Sequence, residues 1–182
     1  MNINSRNIFI IYVLLYFSLL VGFYFNEDFA LGYISDYHGG KQIVSLFEKD
    51  FVKTLLNFDK LTTSHSPIYF IFILFLEKIS FNETVLRLIN LHTSLLIPIF
   101  FYLCLKIKYK FQKKDLRTLI PCIIFFSPYF RSSSIWIGSE NISLLFLIIS
   151  FYFFLKYESN KGRDLSNIFL NVLFLACAAY FR

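Results

Sequence analysis

IFIIYVLLYFSLLVGFYF, residues 8–25, runs for 18 residues without a charge. That is long enough for a helix to cross the hydrocarbon core of a bilayer. Only Arg6 supplies a positive charge ahead of it and no A-x-A-like site follows, so it reads as a retained span, not a cleaved leader. It opens into a polar loop, residues 26–66, which carries Asp36 in Ser35-Asp36-Tyr37-His38. The loop closes on His65-Ser66-Pro67-Ile68-Tyr69, which leads into a short apolar segment. A carboxylate held just outside a membrane, with a His-x-Pro-x-Tyr turn re-entering it, suits chemistry on lipid-borne substrates.

The rest of the chain fits a membrane setting. Of its 182 residues, 57% are hydrophobic and 25 are Phe, against about 45–50% apolar in ordinary soluble domains. The expected fold is an all-α, polytopic transmembrane helix bundle forming one domain over 1–182, with an external amphipathic, juxtamembrane helix in its first loop. Spans are expected near 8–25, 85–105, 118–137, 138–155 and 165–181. The last apolar run ends at Ala178-Ala179-Tyr180-Phe181-Arg182 without a polar tail, which leads us to expect the N-terminal part of a longer module. Cys104, Cys122 and Cys177 lie scattered in apolar segments, a spacing that forms neither a disulfide framework nor a zinc site.

The net charge of +6 sits in the loops and reads as a topology signal, with no nucleic-acid footprint. Lys106, Lys108, Lys110, Lys113, Lys114 and Arg117 crowd one loop, and Lys156, Lys161 and Arg163 another. The positive-inside rule places both on the cytoplasmic side. This holds if Pro67–Ile79, only 13 residues long, is re-entrant or interfacial. The regions 26–84 and 131–140 then lie outside, as expected for a multi-pass protein of a bacterial inner (plasma) membrane. Within the first loop, Ile43, Phe47, Phe51, Leu55 and Phe58 recur at helical spacing, predicting an amphipathic helix over 41–58 in the headgroup region.

Several residues on the outer side carry candidate chemistry. Asp36 can act as a general base, or serve as a helix cap or solvated loop acid. Glu27 and Asp28 flank the end of the first span. His65 can bind phosphate or mark the interface, and Tyr69 can line a site or join an aromatic belt. Arg87, beside Asn90 and His92, can contact phosphate or snorkel to the interface. Arg131 and Glu140 bracket a turn at Gly138, as a site-facing hairpin or as a plain ion pair.

Together these motifs resemble the N-terminal module of the GT-C-fold glycosyltransferases, the polytopic enzymes that include protein O-mannosyltransferases and lipid A aminoarabinose transferases. Asp36 stands where that family has an acid in the first external loop. His65-Ser66-Pro67-Ile68-Tyr69 is similar to its His-Pro-Pro-Leu-Tyr sequence, Arg87-Leu88-Ile89-Asn90 to its Arg-Leu helix opening, and Ser127-Pro128, Arg131 and Glu140 to its Ser-Pro, Arg and acid succession. Ser66 replaces the first proline, Tyr37 stands at a common second acid, and Glu140 replaces a common Asp.

The resemblance implies inverting hexosyl or pentosyl transfer from a polyprenyl-phosphate sugar donor to a lipid, glycan or protein acceptor on the external face, among membrane lipids. Asp36 is then the catalytic base, and His65, Tyr69, Arg87, Arg131 and Glu140 bind substrate. No cofactor is implied with certainty, and dependence on a divalent metal stays open. The alternatives are a transporter or flippase component, and a non-catalytic membrane fragment.

Overall fold

Prolines and short polar side chains decide where the helices of this chain stop. The computed structural model describes residues 5–31, 33–79, 82–109 and 118–181, without the side chains of residues 5–8 and 34–36. The helices are α1 (Ser5–Tyr24), α2 (Gly39–Lys49), α3 (Phe51–Leu56), α4 (Pro67–Ile79), α5 (Glu83–Ser94), α6 (Leu96–Lys108), α7 (Pro128–Ile135), α8 (Ser139–Ser159) and α9 (Leu165–Tyr180). A π-helical turn, Tyr33–His38, runs into α2, and 3-10 segments cover Phe58–Lys60 and Ile120–Phe126. No strand occurs among the described residues.

Two expected helices are broken. The span expected over 118–137 is a 3-10 segment followed by α7, because Pro121 and Pro128 each remove a backbone donor and crowd the preceding turn. Ser127, pushed out of the helical region ahead of Pro128, caps α7 by accepting from the Phe130 amide. The broken rod still reaches far. Seven 3-10 residues and eight α-helical ones rise about 26 Å at ~2.0 and ~1.5 Å per residue. The amphipathic helix expected over 41–58 is interrupted at Asp50, whose extended backbone and side-chain bond to the Lys53 amide start α3 afresh. The break lets Phe58 fold back onto Phe47 and Phe70.

The helices run between two ends. At one end, the last turns of α6 and α8 are joined by Lys108 and Glu158 at 3.5 Å, and Tyr12 of α1 donates to the Thr118 carbonyl at 2.7 Å. At the other end, α7 and the start of α8 meet the end of α1, the start of α4 and the start of α5. The α9 helix returns antiparallel along α8, through Ser150 with Asn171 and Ser143 with the Ala178 carbonyl. One core joins α1, α5–α6, α7 and α8, with Leu19, Leu91, Ile97 and Ile135 fully enclosed. A smaller one holds Val44 and Phe47 of α2 against Tyr69, Phe70 and Ile73 of α4.

Among the described residues, the continuous α5–α6 rod Glu83–Lys108 and α8 are long and apolar enough to cross a membrane. Only 33% and 22% of their apolar windows are buried in the protein, so most of that surface faces outward. The outer face of α1 likewise presents Phe9, Leu14 and Phe17, and that of α9 presents Phe169 and Val172. Hydrocarbon is the solvent that covers such faces without cost. The protein should therefore stay in the membrane pellet through alkaline carbonate and leave it only with detergent. Release by carbonate would contradict this placement.

Candidate functional site

The second end of the bundle is built around the turn from α7 to α8. Ser132, Ser133 and Ser134 are buried, and short hydroxyl side chains there let polar groups approach the backbone closely. Ile137 sits at φ +56° although its side chain is β-branched and fully enclosed, a backbone position held only by its surroundings. Gly138 follows because a Cβ there would collide with Ser133 Oγ and stand 2.6 Å from Glu140 Oε2. Asn141, in the first turn of α8, donates to Ser134 Oγ at 2.7 Å and to the Phe130 carbonyl at 2.9 Å. Asn90, from α5, donates to the Ser133 and Ser134 carbonyls, each at 2.8 Å. Both amides thus satisfy groups that burial would otherwise orphan.

Four of the sequence-predicted residues converge on this turn. Tyr69, fully buried in the first turn of α4, donates its hydroxyl to the Ile137 carbonyl at 2.9 Å. His65 Nδ1 lies 3.2 Å from Ser139 Oγ, and its ring packs on Tyr69 with centroids 4.9 Å apart. Glu140 is exposed and accepts from Ser133 Oγ at 3.3 Å. Arg87 Nε donates to the Ile135 carbonyl at 3.0 Å, and its guanidinium lies 3.6 Å from the centroid of the Trp136 ring. The Phe23 ring stands 4.8 Å from the same guanidinium. Arg87 does not snorkel: it is 7% exposed, and its Nη2 is buried without a hydrogen-bond partner.

Arg131 has a different neighbour from the one expected. Its ion pair is with Glu27, not Glu140: Nε and Nη2 donate to the two carboxylate oxygens at 2.6 and 2.5 Å. Nη1 and Nη2 also reach the hydroxyl and carbonyl of Ser18, both at 3.1 Å. The guanidinium is thereby committed to an internal clamp between α1 and α7. Gly22 makes the clamp fit, since a Cβ there would collide with Glu27 Oε2 and lie 2.9 Å from Arg131 Nη2.

Asp28 extends the clamp outward. One of its oxygens accepts from Ser132 Oγ at 2.6 Å and the other from the Tyr33 amide at 3.2 Å, which anchors the π-helical turn over α7. The Tyr33 ring then packs on Trp136, with centroids 4.6 Å apart. Asp36 lies within that turn, inside a helical rod that continues into α2 and not at its cap. Its side chain lies outside the described residues. π-Helical turns are rare and recur at functional sites.

Within this turn, Tyr37 is buried with Lys41 Nζ 4.6 Å above its ring, and Lys41 pairs with Glu83 at 2.9 Å. Burial, then Glu83, push the Tyr37 phenol above its ordinary pKa. Burial opposes charging Lys41, yet its bonds to Glu83 and Tyr37 prevail and hold the ammonium above its ordinary range.

In comparisons with known proteins, no family model matches this chain, and neither does any curated protein or solved structure. The site therefore rests on its own geometry. Among the described residues no three His, Cys, Asp or Glu side chains converge as metal ligands.

Two contributors escape the sequence reading, Trp136 and Gly22, and two more, Glu27 and Asp28, are placed by it at the span end without the partners they have here. Topology carries a signal for the partner of Glu27. Glu27 and Arg131 both fall at span ends expected on the same face, and opposite charges there are natural partners.

The clamp generates a test. Gly22→Ala should destabilise the detergent-solubilised protein by about 1–3 kcal/mol. In an Glu27→Gln/Arg131→Met background the same change should cost less than half as much, because the displaced atoms no longer form an ion pair. A thermal-melt double-mutant cycle checks this; equal costs in both backgrounds would contradict the clamp.

Proposed function

We propose that this chain is a multi-pass membrane glycosyltransferase that transfers a sugar from a polyprenyl-phosphate donor to an acceptor hydroxyl at the external face. The observation that carries the reading is Arg87. A cation buried this deeply normally has every donor paired, since a buried donor left unmade costs about 1–3 kcal/mol. Here Nη2 is unpaired, while Trp136, Phe23 and the Ile135 carbonyl fix the rest of the group. A phosphate oxygen is the acceptor such a donor suits.

The turn that carries Asp36 packs on the same indole through Tyr33. A backbone turn bearing an acid and a phosphate-binding cation, both packed on one indole, fit a displacement at the carbon between acceptor and phosphate. In that reaction the acceptor oxygen attacks the anomeric carbon and its proton passes to Asp36. The bond from the anomeric carbon to the phosphate oxygen breaks, and the lipid phosphate leaves with the electron pair. A single displacement inverts the anomeric centre and needs one base, unlike double displacement with two carboxylates. Arg87 stabilises the charge gathering on the leaving phosphate. His65 and Tyr69 bring the entrance of α4 against the same hairpin. Arg131 contributes by holding α7 to α1.

The test is transfer from labelled polyprenyl-phosphate sugars in membranes containing the protein. Asp36→Asn should lower transfer about 100-fold or more, and Arg87→Gln about 100-fold, with the protein still inserted at normal levels. Unchanged transfer by Asp36→Asn would remove the mechanism. Movement of labelled lipid across proteoliposomes without a new glycosidic bond would replace the reading with a transporter.

A further inference from the structure

Residues 106–117 and 156–164 hold nine Lys and Arg against three Asp and Glu, and that surplus of six is the net charge of the whole chain. Elsewhere the two signs balance at nine each. The fold brings the described part of this charge to one end of the bundle, opposite the hairpin. Lys106 and Lys108 lie in the last turn of α6 and Lys156 in that of α8, while Lys161 and Arg163 lie in the turn into α9. Glu158 pairs with Lys108, which sets the two helix ends side by side. Asp164 is committed as the cap of α9 and accepts from Asn167 at 2.6 Å. That leaves Lys106, Lys156, Lys161 and Arg163 without a carboxylate partner among the described residues.

Folding alone does not account for these charges. The lysines of α6 and α8 answer the negative ends of their helices, but that effect fades past the last turn, where Lys161 and Arg163 stand exposed. Lys161 is at φ +52°, the left-handed region in which a helix end usually places Gly. Its amide donates to the Glu158 carbonyl and the Gly162 amide to the Tyr157 carbonyl, both at 3.1 Å, so the strained position belongs to the helix stop itself. Glycine there would remove the Cβ penalty and lose the ammonium. Below the cations the surface turns apolar. The α8 helix exposes Phe151 and Phe154, and α9 exposes Leu165 and Phe169, all within about two turns of a cation. A charged rim above an apolar wall matches a phospholipid, phosphate above acyl chain, whereas a soluble anion would use the rim alone.

We propose that this end of the bundle is a binding surface for anionic phospholipids, with the headgroup on the cations around the α8–α9 turn and the acyl chains along the exposed faces of α8 and α9. A zwitterionic headgroup carries its own cation beside the phosphate and gains less from the same surface. The surface lies at the far end from Arg87 and the hairpin, so it is separate from the proposed reaction site and does not rest on the transferase reading.

The test titrates the whole chain in detergent with phosphatidylglycerol and phosphatidylcholine of equal chain length, and reads lipid binding by native mass spectrometry. Phosphatidylglycerol should bind about tenfold more tightly or better at low salt, and the difference should shrink as salt rises. Lys161→Gly should weaken phosphatidylglycerol about fivefold and Lys161→Gly/Arg163→Gln about 25-fold, at about one fivefold step per charge, with phosphatidylcholine unchanged. The thermal midpoint of Lys161→Gly should stay level or rise, because glycine suits the left-handed position. Lys49→Gln/Lys53→Gln, on the opposite end, should keep the preference. Equal binding of the two lipids would overturn the proposal, as would a preference that survives Lys161→Gly/Arg163→Gln or disappears with Lys49→Gln/Lys53→Gln. Displacement of phosphatidylglycerol by millimolar inorganic phosphate at constant ionic strength would identify a free-anion site and overturn it as well.

Discussion

The bidentate pair between Arg131 and Glu27 is the constraint on which this end of the bundle depends. It ties the last turn of α1 to α7 across more than a hundred residues of sequence, with both side chains largely hidden. Removing either partner would leave a charge stranded, a loss of about 3–5 kcal/mol for a buried pair. Everything above it follows. Once α7 is held, Ser132 meets Asp28, Asp28 meets the Tyr33 amide, and Trp136 donates its ring N–H to the Glu27 carbonyl at 3.0 Å. The indole is then fixed as the surface that Arg87 and Tyr33 share.

A polar cluster inside an apolar bundle is expensive unless each group is answered, and here most are. Asn90, Asn141 and the serines of α7 bond to one another and to backbone carbonyls that the end of a helix exposes. The opposite end of the bundle has separate polar contacts, the surface pair of Lys108 and Glu158, Tyr12 with the Thr118 carbonyl and Asn167 with Asp164, and no such network among the described residues. That asymmetry gives the molecule one end with a buried polar network and one end without it among the described residues. Among the described residues, the buried side-chain donor left unpaired, Arg87 Nη2, falls at the end with the network.

Much of the fold is legible in the sequence, because length and polarity of apolar runs report directly on helices that turn most of their surface outward. Ser139–Ser159 and Glu83–Lys108 appear where long apolar runs place them. The helix over 41–58 misleads because periodicity sees the recurrence of Phe47, Phe51 and Phe58 but not the greater local gain of Asp50 as a cap. The span over 118–137 misleads because composition counts apolar residues while Pro121 and Pro128 set their geometry. At the site, His65, Tyr69, Arg87 and Glu140 are recognisable as polar or aromatic residues at span ends. The partner of Arg131 is not recognisable from its neighbours, since pairing with Glu27 is a tertiary fact. The Ile137 backbone is likewise invisible to pattern, because a β-branched residue at positive φ runs against its own preference.

In the proposed placement the two ends of the bundle face opposite sides of a membrane, with the hairpin, Arg87 and the turn bearing Asp36 outside. Sidedness of single cysteines at Lys60 and Lys161, both exposed, tests it directly in a background with Cys104, Cys122 and Cys177 replaced. An impermeant maleimide should label the Lys60→Cys protein in intact cells and the Lys161→Cys protein only after the membrane is opened. Labelling of both from the same side would contradict it, because α4 and α5 both start against the hairpin and the α5–α6 rod, the segment through α7 and α8 then make an odd number of crossings between the two positions.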